Sequence, residues 1–352
     1  MIPSITRRTF SLMAASAPLF AQSEAKPVRA AMIGTGHGHA NSKVRALRSI
    51  PSCEFVGVCR PDAKDPIRGD LFASVTWLKL PQILDDTSIE MVAIEGADPK
   101  WNLEYAWRAV NAGKHVHLDK PPGDSYTGLR DLLAEAGRRG TQVQMGYQWR
   151  YHPAMQAVMD AARKGWLGQI YRFRASIDKP ILADERKELA HYAGGMMFSE
   201  GCHLIDRATA LLGEPRKVQG FLHHRSSLDD GLIDNALAVL EYDNAIAEIS
   251  MAGFDPNGNE HRYLEVLGTN GFARVQPYSP LRLHTKLKEA AGPYPAGVQT
   301  LEAFAEMGYP YVADFLELIA AIRHGKKLEY SPSHDLMTHR VMLEVCGMWR
   351  PA

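Results

Sequence analysis

The stretch Val28-Arg29-Ala30-Ala31-Met32-Ile33-Gly34-Thr35-Gly36-His37-Gly38-His39-Ala40 decides the fold. Its first six residues are a short, mostly apolar run, as a buried strand requires, and the glycines break it. Residues 40–50, with Val44 and Leu47 on one face, then read as a helix, and Phe55-Val56-Gly57-Val58-Cys59 as a second buried strand. Strand, glycine turn, helix and strand within roughly thirty residues make a βαβ unit. Further out, Thr76-Trp77 marks a third short strand and 91–94 another. A helix over 99–112 is closed by Gly113, the residue that tolerates a left-handed cap. Strands at 115–118 and 142–145 flank a helix near 128–137. Such alternation predicts the α/β class, with a doubly wound, mostly parallel sheet.

The pattern changes after Arg150. A helix over 153–164 leads into strands at 170–177, 218–224, 236–242, 245–251 and 263–267, with Asp243-Asn244 as a two-residue turn. Strands in series imply a large open mixed or antiparallel sheet. A last helix is expected over 311–324. The domains are therefore 27–148, nucleotide-binding, and 149–352, substrate-binding.

The chain has 352 residues, with 40 Lys and Arg against 40 Asp and Glu. A net charge of zero argues against a nucleic-acid partner. No apolar run is long enough to span a membrane. The four cysteines lack CxxC spacing and are expected as small buried side chains. Arg7-Arg8 before a short, weakly apolar stretch is the layout of a twin-arginine signal, covering 1–21 with a cut after Ala21, which predicts export to the periplasm. An exported enzyme has to hold any nicotinamide cofactor tightly.

The glycine turn is the first chemical feature. Gly34 permits the tight turn, Gly36 lets backbone approach a pyrophosphate, and Thr35, His37, Gly38 and His39 complete the cradle at the helix N-terminus. His39 stands where a third glycine is usual. Arg60, at the end of the second strand, suits a 2′-phosphate and leans toward NADP, while nearby Asp62 keeps NAD open. In Asp119-Lys120-Pro121, Lys120 sits at a strand end, where a lysine can exchange a proton with a substrate hydroxyl.

Gly34-Thr35-Gly36, the run from Ala112 through Lys114, His115 and Val116 to Asp119-Lys120-Pro121, Gly146-Tyr147-Gln148-Trp149-Arg150, and Gly194-Gly195 with Gly201-Cys202-His203-Leu204-Ile205-Asp206 together resemble the Gfo/Idh/MocA family. The resemblance implies a Rossmann domain, a second α/β domain used for homo-oligomerisation as a dimer or tetramer, and tightly bound NAD(P). It implies hydride transfer from a sugar, cyclitol or other polyol. By matching position, Lys120 is the family's catalytic lysine, Asp119 replaces its usual Glu, and His203 binds or deprotonates the reacting hydroxyl. Arg150, Tyr151, Ser199 and Asp206 are expected at the substrate, with Trp149, Asp178, Lys179 and His191 as further candidates. Two departures stand out: Ser199 where many relatives carry Asp, and Asn102 where His is frequent. The His203/Asp206 pair has no further ligands in sequence, so no metal is expected. Two other readings remain: redox-neutral, NAD-dependent glycoside cleavage through a transient keto-sugar, and a binding protein that has lost activity. The presence of both Lys120 and His203 counts against the second.

Overall fold

A computed structural model describes residues 26–276, 281–301 and 311–349; the proposed signal lies outside them. The first domain holds β1 (Val28–Ile33), α1 (Ala40–Ser49), β2 (Cys53–Cys59), α2 (Leu80–Leu84), β3 (Met91–Ile94), α3 (Pro99–Asn111), β4 (His115–Asp119), α4 (Tyr126–Arg139) and β5 (Val143–Gly146). The strands are all parallel in the order β2-β1-β3-β4-β5. Thr76-Trp77 does not form the expected strand. Only a single parallel bridge joins Trp77 to Val58, on the outer side of β2. With that bridge counted as a strand, the order becomes that of a dinucleotide-binding sheet, whose ligand crevice opens between β1 and β3. Local chemistry sets the helix ends: Asp98 caps α3 by accepting from Lys100 N, Ser125 caps α4 through Gly128 N, and Gly113 adopts φ 74° after α3.

The second domain holds α5 (Pro153–Arg163), β6 (Ile170–Ser176), α6 (Ala183–Leu189), α7 (Cys202–Leu212), β7 (Lys217–His223), β8 (Asn235–Glu241), β9 (Ile246–Ala252), α8 (Gly258–His261), β10 (Tyr263–Gly268), β11 (Gly271–Val275), β12 (Leu283–Leu287), β13 (Gly297–Leu301), α9 (Val312–His324) and α10 (Pro332–Val345). Its eight-stranded sheet runs β13-β12-β11-β10-β6-β9-β8-β7. β6 and β9 pair in parallel; the other neighbours are antiparallel. This is the mixed open sheet that serial strands imply, with three more strands at one edge and a last helix that the sequence reading did not include.

One continuous core joins the domains, running from Leu118 and Met145 through Tyr147 to Phe198 and Ile205. A second core lies behind β1, where Met32, Val44 and Leu47 meet Phe315 and Leu318 of α9. The chain therefore returns to its first domain near its end.

Candidate active site

The C-terminal ends of β1 and β4 face α7 and the π-helical turn Met197–Gly201 that precedes it. Single wide turns of this kind re-aim side chains and backbone groups. Here the turn brings the Ser199 carbonyl to Lys120, whose Nζ donates to it at 2.9 Å, and sets Glu200 Oε1 3.7 Å from the same ammonium. Lys179 also reaches Glu200 Oε1, at 3.3 Å. Burial raises the Glu200 carboxyl, but the two lysines prevail and hold it well below the usual carboxylate range.

A cavity of about 330 Å³ opens here. Gly36, His37, Gly38, His39, Lys120 and Ser199 line it, all of them residues singled out in the sequence, together with Lys179, Glu185, Glu200 and Tyr192. His203 lies behind this wall, only 2% exposed, stacked on Trp149 at a centroid distance of 5.9 Å. Burial first, and the Lys120 charge second, keep its imidazole well below its ordinary pKa, so it is neutral; its Nδ1 has no hydrogen-bond partner.

Beneath the turn is a charged cluster that sequence reading saw only in part. Lys43 Nζ, fully buried, donates to Glu95 Oε1 and Asp119 Oδ2, each at 2.7 Å. His37 and His39 place Nδ1 atoms 2.9 and 3.0 Å from that Asp119 oxygen. Despite burial, His37, Lys43 and His39 hold the Asp119 carboxyl well below its usual range. Burial drives His39 down to about 3, leaving its ring neutral. Two signals pointed to the missed members: Lys43 stands four residues after His39, on the same helix face, and Glu95 directly follows an apolar strand.

Four expected substrate contacts are corrected or qualified. Arg150 is turned into the core, where it pairs with Asp206 and Asp335 at 2.7 and 2.5 Å. Asp206 is fully buried among Arg150, Arg207 and His334. The Tyr151 hydroxyl donates to Glu317. Charged groups this deep need partners, and each satisfies the others, so none of the three reaches the cavity. Ser199 does line it, but what contacts Lys120 is its carbonyl oxygen and not its hydroxyl. Among the secondary candidates, Lys179 lines the cavity, His191 lines a neighbouring one, and Asp178 accepts from Ala252 N.

The glycine turn fits a dinucleotide at one end. Gly34, at φ 92°, packs so closely that a Cβ would lie 2.3 Å from Gly96 N. Gly36, whose bare face a pyrophosphate needs, instead faces Asp65: a Cβ there would lie 2.2 Å from Asp65 Oδ1. Asp65 Oδ2 accepts from Thr35 N at 2.7 Å and Gly36 N at 3.2 Å, while Oδ1 accepts from Ala97 N at 2.8 Å. The chain's own carboxylate thus takes the donors that a nucleotide would use. Arg60 is drawn into the same loop, with Nη1 3.4 Å from the Asp65 carbonyl. The cavity beside Lys120 leaves space for a nicotinamide ring, whereas the pyrophosphate face of the turn is taken while Asp65 and Pro66 hold this position.

A parallel sheet with a glycine turn, a lysine at the end of β4 and an open-sheet second domain define a dinucleotide-fold oxidoreductase. The chain belongs to the Gfo/Idh/MocA family of NAD(P)-binding oxidoreductases: residues 28–147 match its oxidoreductase domain with NAD-binding Rossmann fold, and residues 155–274 its C-terminal domain. An uncharacterized oxidoreductase of Schizosaccharomyces pombe is 26% identical over 208 residues, 57% of this chain and 56% of that one. The chain thus spans little more than half the length of the yeast relatives it matches. Mouse trans-1,2-dihydrobenzene-1,2-diol dehydrogenase is 24% identical over 246 residues, covering 67% and 71%. Among solved structures, the aldose-aldose oxidoreductase of Caulobacter crescentus, complexed with glycerol, superposes with a TM-score of 0.76 at 17% identity, covering 92% of this chain and 98% of that one. An oxidoreductase of Agrobacterium radiobacter in complex with NAD+, L-tartaric acid and magnesium gives 0.75 at 16%, covering 92% and 97%. These likenesses show the fold.

Proposed function

We propose that this oxidoreductase acts on a hydroxyl of a sugar, cyclitol or sugar derivative, with tightly held NAD(P) as hydride acceptor. The observation that carries the reading is Lys120: a lysine side chain only 2% exposed, in the wall of an interdomain cavity, with the neutral His203 ring behind it. When bound, the nicotinamide supplies the hydride-accepting carbon. Lys120 orients the hydroxyl and, as the neutral amine, takes its proton at Nζ, and Glu200 compensates the ammonium so formed. Relatives named for a diol and an aldose support a polyhydroxy substrate.

Three further parts belong to the same proposal. NADP is favoured by Arg60, which reaches a 2′-phosphate once the Asp65 loop moves. The chain is exported through its Arg7-Arg8 signal. It assembles through the outer face of the eight-stranded sheet, where Phe221, Leu237 and Ile246 are exposed; light scattering should give a dimer or tetramer.

The test is nucleotide release on denaturation, identified by mass, followed by incubation with polyols and glycosides. Bound NAD(P) with a change at the nicotinamide absorbance band supports the reading. Sugar release without such a change indicates redox-neutral cleavage instead. A protein that neither contains nor binds the nucleotide sinks both.

A further inference from the structure

His37, His39 and Asp119 bring their ligand atoms within 4.8 Å of one another, with Glu95 beside them. His37 Nδ1 lies 3.2 Å from the main-chain N of His39. The same nitrogen lies 2.9 Å from Asp119 Oδ2. That oxygen already receives Lys43 at 2.7 Å and faces His39 Nδ1 at 3.0 Å. Either a proton or a metal ion on the imidazole nitrogens closes these contacts. A second, independent feature faces the same point. Glu95 Oε2, on a fully buried side chain, has no hydrogen-bond partner and lies 3.9 Å from His37 Nδ1. An orphaned buried carboxylate oxygen is costly and calls for a ligand.

We infer that His37, His39 and Asp119 form a binding site for a divalent first-row transition-metal ion. A tetrahedral ion bound at about 2.0–2.2 Å to nitrogen and oxygen needs donors roughly 3.3 Å apart. The ligand atoms of these three residues all lie within 4.8 Å of one another, and both histidines lie close to that spacing from the carboxylate. Two imidazoles and one carboxylate select zinc, cobalt or ferrous ion over magnesium and calcium, which prefer oxygen throughout. Lys43 bridges Asp119 to Glu95 and serves as the outer partner that orients a ligating carboxylate. Because His37 and His39 also line the cavity, the ion's remaining position opens toward the space beside Lys120, where a water or a substrate hydroxyl oxygen fits. The site shares its cavity with the proposed redox reaction.

The test uses the full purified protein, stripped with chelator and titrated with cobalt chloride. About one equivalent is expected to bind with the visible absorption of a four-coordinate ion, to be displaced by zinc chloride, and to be indifferent to magnesium chloride. The double variant His37→Gln/His39→Gln, with its fold checked by circular dichroism, should weaken cobalt binding by more than the roughly 10–100-fold that outer partners are worth. X-ray absorption of the zinc-loaded wild-type protein provides a readout that does not depend on the variant folding, and should show two imidazole nitrogens. No uptake at neutral pH overturns the site. So does uptake unchanged in the folded double variant, or a zinc shell without imidazole. Nucleotide content is measured separately on the same stripped sample, so failure of the metal site and failure of the cofactor reading are distinguishable.

Discussion

Lys120 of the first domain donates to the Ser199 carbonyl of the second at 2.9 Å, so the ammonium at the centre of the cavity is held by a backbone oxygen across the domain junction. A backbone acceptor cannot be lost by side-chain substitution, which fixes the amine while leaving its other protons free for a substrate. Lys120→Ala is therefore expected to lower turnover by about 10²–10⁴-fold, the range of positioned acid–base groups. Nucleotide retention should be unchanged. Steady-state rates and nucleotide released on denaturation check the two halves separately; a variant that fails to fold would make this lysine structural.

Asp65 competes with whatever binds the glycine turn. Its carboxylate satisfies Thr35 N, Gly36 N and Ala97 N, and hydrogen bonds to a charged acceptor are worth about 1.5–3 kcal/mol. Asp65→Ala should lower the melting temperature and at the same time tighten NAD(P) by roughly tenfold, because the nucleotide no longer displaces an internal ligand. Calorimetric titration beside a thermal melt reads both. Weaker nucleotide binding would mean that Asp65 holds the ribose and is not displaced by it.

The glycine turn, the unbroken apolar runs of strands buried on both faces and the one-sided apolar helices carried the first domain. What escaped was buried polarity. In α10, Asp335, Thr338 and His339 are buried along with Val341 and Met342, so the helix has no clean apolar stripe, although Ser331 and Pro332 mark its start. In the site, Lys120, Ser199 and the histidines of the turn lie where motif and strand end placed them. Arg150 and Asp206 do not, since a motif gives position along the chain and not whether a charged group faces solvent or another charge. Asp65 was out of reach for a different reason. Its contact with the turn is made by a loop closing over some thirty residues, and no periodicity encodes that.

Asp206 makes this distinction measurable. It is fully buried and bonded to both Arg150 and Arg207. Removing one member of such a group strands the others as unpaired buried charges, at a cost of about 3–5 kcal/mol. Asp206→Ala should thus act mainly on stability, seen as a lower urea midpoint. The rate per folded molecule should change by less than about tenfold. A fully stable but inactive variant would restore Asp206 to the substrate.

His339 predicts the acid limit of the fold. It is fully buried in α10, neither ring nitrogen has a hydrogen-bond partner, and burial pushes its pKa down to about 4 from 6.5. Between those values the unfolded chain binds a proton that the native state refuses, so stability falls as pH drops through the window, by about 1.4 kcal/mol per unit. His152, held at about 4 by the same cause, adds a term of the same sign. Asp314 opposes them: burial raises its carboxyl to about 7, so the native state holds an extra proton from about pH 3.8 to 7 and gains stability on acidification. His39 and His117, both held at about 3 by burial, add to the same side, so the lowered histidines outweigh Asp314 and the melting temperature should decline from pH 6.5 to pH 5. His339→Leu removes one histidine term, so the variant should gain about 2 kcal/mol relative to wild type on going from pH 8 to pH 5. Urea melts of both proteins at the two pH values measure that difference, and an equal offset at both would show that the His339 proton is not what the acid limit depends on.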